Sequence, residues 1–186
     1  MAVRGKLLGS NLDRMPDIAF RGMSFLFFIW GLFGSPERKL KQFGIKPGDT
    51  VVDFGCGPGN YIKEASSLAG ADGIVYAADI HELAILAIEK KIARYNLANV
   101  KPVQVKNYTC DIADNAADVI YALDMFHMVK HPDILLTELH RMLKKNGRLI
   151  IEDGHQPRQE SKRKIIGSKV WRISEELKGW LVCTPL

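Results

Sequence analysis

Asp53, Gly55, Gly57 and Gly59 stand at alternate positions behind the β-branched pair Val51-Val52, and a segment able to start a helix follows at Asn60-Tyr61. Such a strand–turn–helix lets backbone approach a ligand closely, because glycine supplies positive φ and puts no side chain in the way. The helix start aims unpaired N–H groups and a positive dipole end at whatever rests on the turn. Two nucleotide-binding designs share this outline, and spacing separates both from the present chain. The dinucleotide fingerprint requires a third glycine where Asn60 stands. The phosphate loop requires Lys-Ser or Lys-Thr after the turn, and neither follows. What remains is D-x-G-x-G-x-G.

A second carboxylate completes the pattern. Ile74-Val75-Tyr76-Ala77-Ala78-Asp79 reads as another buried strand that ends in an acid. A carboxylate about 20 positions beyond such a turn can accept hydrogen bonds from both hydroxyls of a ribose. The alternative role for Asp79 is to cap the helix that begins near His81.

With Val-Val before it and Asp79 after it, the glycine turn resembles motif I of the class I S-adenosylmethionine (SAM) methyltransferases. The resemblance runs from about Ile45 to the C-terminus. Asn107 falls where that family usually has an Asp or Asn near the adenine. Leu143-Lys144-Lys145-Asn146-Gly147-Arg148-Leu149-Ile150 resembles the family's turn into strand 5, commonly Leu-Lys-Pro-Gly-Gly. Among subfamilies the chain is most similar to the small-molecule enzymes related to the ubiquinone/menaquinone C-methyltransferases. It departs from the pattern in having Asn rather than the commoner Asp at 107, and Lys145-Asn146 in place of Pro-Gly.

The resemblance implies SAM as cofactor, S-adenosylhomocysteine as product, and transfer of the methyl group by in-line displacement to a small, apolar or aromatic acceptor. The sulfonium already makes the methyl group electrophilic, so the protein supplies position and electrostatics. Ligands in such folds bind beyond the carboxyl ends of the strands. The Gly55–Gly59 backbone, with Cys56 as a small filler and Tyr61 at the helix start, would face the methionine portion. Asp53 would lie near the ammonium or order the turn, and Asp79 would hold the ribose. Ile80 would cover an adenine face, Asn107 and Tyr108 would frame its edge, and the Leu123 carbonyl would accept from the ammonium. Asp124 and His127 fall where an acceptor is oriented or deprotonated, and His155 lies on the same edge beyond strand 5. Neutral imidazole can act as a base near pH 7, although His127 could equally bond backbone at a helix start. His131 reads as a loop contact, and His81 and His140 read as solvated helix residues. No histidine–carboxylate group has metal-ligand spacing, so no catalytic metal is expected.

These residues need a scaffold. Short apolar strands at 51–54, 74–79, 102–105, 119–123 and 148–152 alternate with amphipathic segments at 61–68, 82–95 and 134–143. That alternation indicates a parallel sheet covered on both faces. Two β-rich runs, 169–174 and 180–184, follow around Lys178-Gly179 and read as a hairpin. The expected fold is α/β: Rossmann-like, doubly wound, a mostly parallel seven-stranded sheet with an antiparallel C-terminal strand. Residues 45–186 would form this SAM-binding domain, and residues 1–44 an N-terminal arm with helices acting as lid or cap. Pro16 would open a helix through the Phe20–Phe33 block, and Ser35-Pro36-Glu37 would start another that runs to about Phe43 and stops at Gly44.

The block Phe25-Leu26-Phe27-Phe28-Ile29-Trp30 has three readings: a core helix, a lid that excludes water from methyl transfer, or a peripheral membrane contact flanked by Arg14, Arg21, Arg38, Lys39 and Lys41. Its apolar stretch is shorter than the roughly 20 residues that span a bilayer, and no secretory signal is expected. Three scattered cysteines suit a reducing cytoplasm. A net charge of +5 permits an anionic partner without requiring one. The basic run Arg158, Lys162, Arg163, Lys164 reads as a solvated helix face, and no aromatics are interleaved with it as in a nucleic-acid interface. An RNA or protein acceptor, or a non-catalytic SAM-binding or lipid-associated module, are the competing functions.

Overall fold

The computed structural model describes Arg14, residues 16–20, Gly22 and residues 36–186. The Phe25–Phe33 block, Ser35 and most of the expected N-terminal arm lie outside the described residues. Seven strands form one sheet: β1 (Thr50–Phe54), β2 (Ile74–Asp79), β3 (Val100–Gln104), β4 (Ala117–Ala122), β5 (Leu143–Glu152), β6 (Trp171–Glu176) and β7 (Trp180–Pro185). Their order is β3-β2-β1-β4-β5-β7-β6. The pairs β1–β2, β1–β4, β2–β3 and β4–β5 are parallel, and β7 runs antiparallel to both β5 and β6. The chain order reverses between β1 and β4, which opens the crevice where ligands of such sheets bind.

Alternation along the strands distributes side chains to two cores. Val52, Ile120, Leu149 and Ile151 pack on one face with helix α4 (Pro132–Met142) and Ile165 of α5 (Arg158–Gly167). Val51, Val119, Tyr121 and Ile150 pack on the other with α1 (Pro36–Lys41), α2 (Ile62–Ala69) and α3 (Glu82–Tyr95). Successive residues of one strand thus serve opposite layers, as the pleat requires. Helix α1, grouped by sequence with the N-terminal cap, contributes fully buried Leu40 to the second core, with Phe43 just beyond it. Phe43 meets Trp180 of β7 edge-on at 5.3 Å.

Two expectations need correction. His140 is not simply solvated: it is half-buried and meets Trp171 edge-on at 5.4 Å. The turn expected at 143–147 does not precede β5 but interrupts its pairing. Ala117 opposes Leu143 while Val119 opposes Arg148, so the intervening residues bulge out of register. No helix among the described residues is long and apolar enough to cross a membrane.

Candidate active site

The turn after β1 is held to β2 by hydrogen bonds within the chain. The N–H groups of Gly55 and Cys56 both donate to the Ala78 carbonyl, at 2.8 and 3.1 Å. The Gly57 N–H donates to Asp79 Oδ2 at 2.8 Å, and the His81 N–H donates to Oδ1 at 2.8 Å. A carboxylate offers about four acceptor directions, so Asp79 retains acceptor capacity for a ligand. Asp79 is thereby also the residue that secures the turn, a role the sequence did not disclose.

The three glycines do different work, each at positive φ. A side chain at Gly57 would meet nothing within 4 Å and would project from the cavity wall. At Gly55 it would strike Met125 Cγ at 2.8 Å, and at Gly59 it would strike Ile88 Cδ1 at 2.4 Å. Gly59 therefore lets α3 close on the turn, and its carbonyl accepts from Lys91 Nζ at 2.7 Å. It is absent from the cavity wall.

A cavity of about 740 Å³ opens beyond β1, β2, β4 and β5, within the size range of small-molecule sites. Of the residues singled out by sequence, Asp53, Gly55, Cys56, Gly57, Tyr61, Asp79, Ile80, Tyr108, Leu123, Asp124 and His155 line it. Asn107 is exposed and does not, whereas neighbouring Tyr108 does. His127 also stands off the wall, half-buried behind Asp124 and His155.

Asp53 is 2% exposed, and its Oδ2 has no hydrogen-bond partner among the described residues. Burial raises its carboxyl pKa to about 8; the nearby Tyr121 phenol offsets part of this, and the charge of Asp79 adds to it. Burial likewise raises the Asp79 carboxyl, against the pull of the His81 and Gly57 N–H groups. It also pushes the Cys56 thiol well up, as suits a packing residue.

At the far end, Asp124 follows β4 with φ of 50°. Its Oδ1 lies 3.9 Å from His127 Nδ1 and 3.9 Å from His155 Nε2. The two imidazoles stand edge to face at 4.9 Å. Burial lowers the His127 pKa more than the Asp124 charge raises it, which favours neutral imidazole. Sequence spacing suggested no metal-binding group, yet the fold gathers these three donors within 4.8 Å of one another.

His81 is a second correction to the solvated reading. It is 2% exposed and lines the cavity. Its Nδ1 accepts from the Leu83 N–H at 3.2 Å to cap α3, and its ring stacks on Phe20 at 4.3 Å. Phe20, in the helical turn at residues 17–20, reaches the cavity wall from the N-terminal segment. Lys39 and Glu152, paired at 2.9 Å, also line it, with Lys39 5.5 Å from the centre of the Tyr61 ring. No local motif marks that pair, since its members are 113 residues apart. The basic run of α5 is engaged locally: Arg158 with Asp153, Lys162 with Glu176, Arg163 with Glu160 and Lys164 with Gln156.

A family model described as a methyltransferase domain matches residues 52–151. The ubiquinone/menaquinone biosynthesis C-methyltransferase of Teredinibacter turnerae is 29% identical over 151 residues, which cover 81% of this chain and 57% of that protein. Its counterpart in a Marinomonas species is 27% identical over 167 residues, 89% of this chain and 63% of that one. The chain thus spans less than two thirds of these relatives' length. Among solved structures, a SAM-dependent methyltransferase from Aquifex aeolicus superposes with a TM-score of 0.74 at 26% identity, covering 82% of this chain and 90% of that one.

Proposed function

This chain belongs to the methyltransferase domain family, with SAM as its cofactor, and on that premise we propose that it methylates a small, apolar or aromatic molecule. The observation that carries the proposal is the Gly57–Asp79 hydrogen bond at the wall of the cavity. It supports a cofactor laid across the turn, with its ribose on the free acceptor directions of Asp79. Asp53 faces the ammonium or sulfonium charge, the Gly55–Pro58 backbone and Tyr61 follow the methionine portion while Gly59 packs α3 behind it, and the Leu123 carbonyl accepts from the ammonium. Ile80 and Tyr108 flank the adenine; Asn107, being off the wall, contributes through the backbone that turns Tyr108 inward.

The acceptor then lies toward Met125, Met128 and Val129, whose soft apolar side chains also line the cavity and suit a lipophilic molecule. Its nucleophilic atom attacks the methyl carbon as the sulfur–methyl bond breaks, and the bond's electron pair stays on sulfur. Near-attack alignment supplies much of the acceleration. Where the acceptor must lose a proton, Asp124 or His155 takes it, and His127 acts through them as a positioning residue. The segment carrying Phe20 closes over the site as a lid, and the Phe20–Phe33 block is the candidate for any peripheral membrane contact.

Three free cysteines support a reducing, cytoplasmic setting. The local engagement of the α5 basic residues argues against a nucleic-acid acceptor. Incubation with methyl-labelled SAM and cell extract, followed by separation into lipid, small-molecule, RNA and protein pools, tests the proposal. Label in the small-molecule or lipid pool is expected; label confined to RNA or protein, or no transfer, contradicts it.

A further inference from the structure

Asp124 and His155 meet at the acceptor end of the cavity from the ends of different strands, and His127 stands directly behind them. The three offer two imidazole nitrogens and one carboxylate oxygen, all within 4.8 Å. None of these contacts is a hydrogen bond, because both measured carboxylate–imidazole separations are 3.9 Å. His127 Nδ1 is buried without a hydrogen-bond partner among the described residues. A buried polar atom gains by finding a partner, and a bound ion would supply one.

Gly154 passes close beside that nitrogen. A Cβ built at Gly154 would lie 2.2 Å from His127 Nδ1 and 3.0 Å from the two ring carbons flanking it, a clash for any side chain. Glycine at 154 therefore keeps the Nδ1 edge clear of a side chain.

We propose that Asp124, His127 and His155 form a binding site for a divalent transition-metal ion of the zinc type, with its remaining positions facing the acceptor. Two imidazoles and a carboxylate suit zinc and its first-row neighbours rather than magnesium or calcium, which prefer oxygen. Tetrahedral ligation at about 2.1 Å separates ligand atoms by about 3.4 Å, so the three donors must draw together. His155 can supply the movement: its side chain is 83% exposed and it follows Gly154, at φ +63°. Three protein ligands leave a fourth position open, where a phenolic or enolic acceptor binds through its oxygen anion after its proton passes to solvent; with the ion bound, Asp124 and His155 serve as ligands in place of acting as the base. That role rests on the methyl-transfer reading; capture of the ion does not.

The test is titration of the metal-free chain with Co²⁺, read by visible absorption and by displacement with Zn²⁺, beside a separate calorimetric titration with S-adenosylhomocysteine. One Co²⁺ per chain is expected, and Zn²⁺ should displace it. His155→Ala, at an exposed position that leaves the fold intact, should weaken binding tenfold or more. Gly154→Ala should do the same by crowding His127 Nδ1. Absence of Co²⁺ binding below millimolar concentration, or equal affinity in His155→Ala, overturns the ion site even when S-adenosylhomocysteine binds. Ion binding without S-adenosylhomocysteine binding instead overturns the methyl-transfer reading and leaves the ion site standing.

Discussion

Gly57 donates its backbone N–H to Asp79 at 2.8 Å, so the turn after β1 and the acid ending β2 form one rigid unit 22 residues apart in sequence. That bond uses one side of one carboxylate oxygen and the His81 N–H uses one side of the other, with acceptor capacity remaining for a ligand. It makes the consequences of altering either residue calculable.

Asp79→Ala removes two hydrogen bonds to backbone and, on the proposed reading, two to a ribose. Charged hydrogen bonds contribute about 1.5–3 kcal/mol each, and each 1.4 kcal/mol is about tenfold in affinity. Calorimetry should show SAM affinity reduced at least tenfold. Unchanged affinity would remove the ribose role from Asp79.

Gly57 and Gly59 should separate ligand binding from folding. Gly57→Ala places a methyl group in open space, at a strain of about 1–2 kcal/mol for the left-handed conformation. Gly57→Val adds bulk where the cofactor would lie. Both should lose SAM binding while circular dichroism stays native. Gly59→Ala drives a Cβ to within 2.4 Å of Ile88 and should lower the melting temperature more than Gly57→Ala does. The reverse ranking would contradict the assignment of the two positions.

Asp53 should couple cofactor binding to pH. Its carboxyl is raised to about 8 by burial, so at pH 7 the free protein holds a proton there that the unfolded chain has released. The stability this group contributes is fully present below the ordinary carboxylate range and is lost as pH rises toward 8. A cationic ligand beside Asp53 favours the carboxylate and expels that proton. SAM binding at pH 7 should release close to one proton and tighten between pH 6 and 8. Titrations in buffers of different ionisation enthalpy measure the release, and Asp53→Asn should abolish it.

The stack of Phe20 on His81 predicts a lid. A segment that opens at low free-energy cost exchanges its amides early, and a ligand favouring the closed population slows that exchange. S-adenosylhomocysteine should slow deuterium uptake at residues 16–22. Equal protection with and without ligand would instead make this segment part of the core.

Local pattern made much of this molecule legible. Val51-Val52-Asp53 and Ile74–Asp79 each carry a buried strand and its terminal acid within six residues, so their places in the sheet followed from sequence. The C-terminal hairpin was readable for the same reason. What sequence hid depends on residues distant along the chain. His81 looked solvated because Phe20, which covers it, lies 61 positions earlier. Sequence placed Asp124, His127 and His155 on one edge, but their approach to within 4.8 Å was hidden because they arrive from the ends of β4 and β5. Lys39 and Glu152 appeared as a flanking charge and a strand end until the fold paired them. Glu138 is 7% exposed, and Arg141 and the Cys110 N–H satisfy its carboxylate from the same helix and from 28 residues earlier.

The central claim is that the cavity beyond the β1 turn is built for SAM. Calorimetric titration of the folded chain with S-adenosylhomocysteine, beside a parallel titration with NAD, tests it most directly. One S-adenosylhomocysteine per chain, lost in Gly57→Val, and no heat from NAD are predicted. Failure of the folded chain to bind S-adenosylhomocysteine, or binding that survives Gly57→Val, would contradict it.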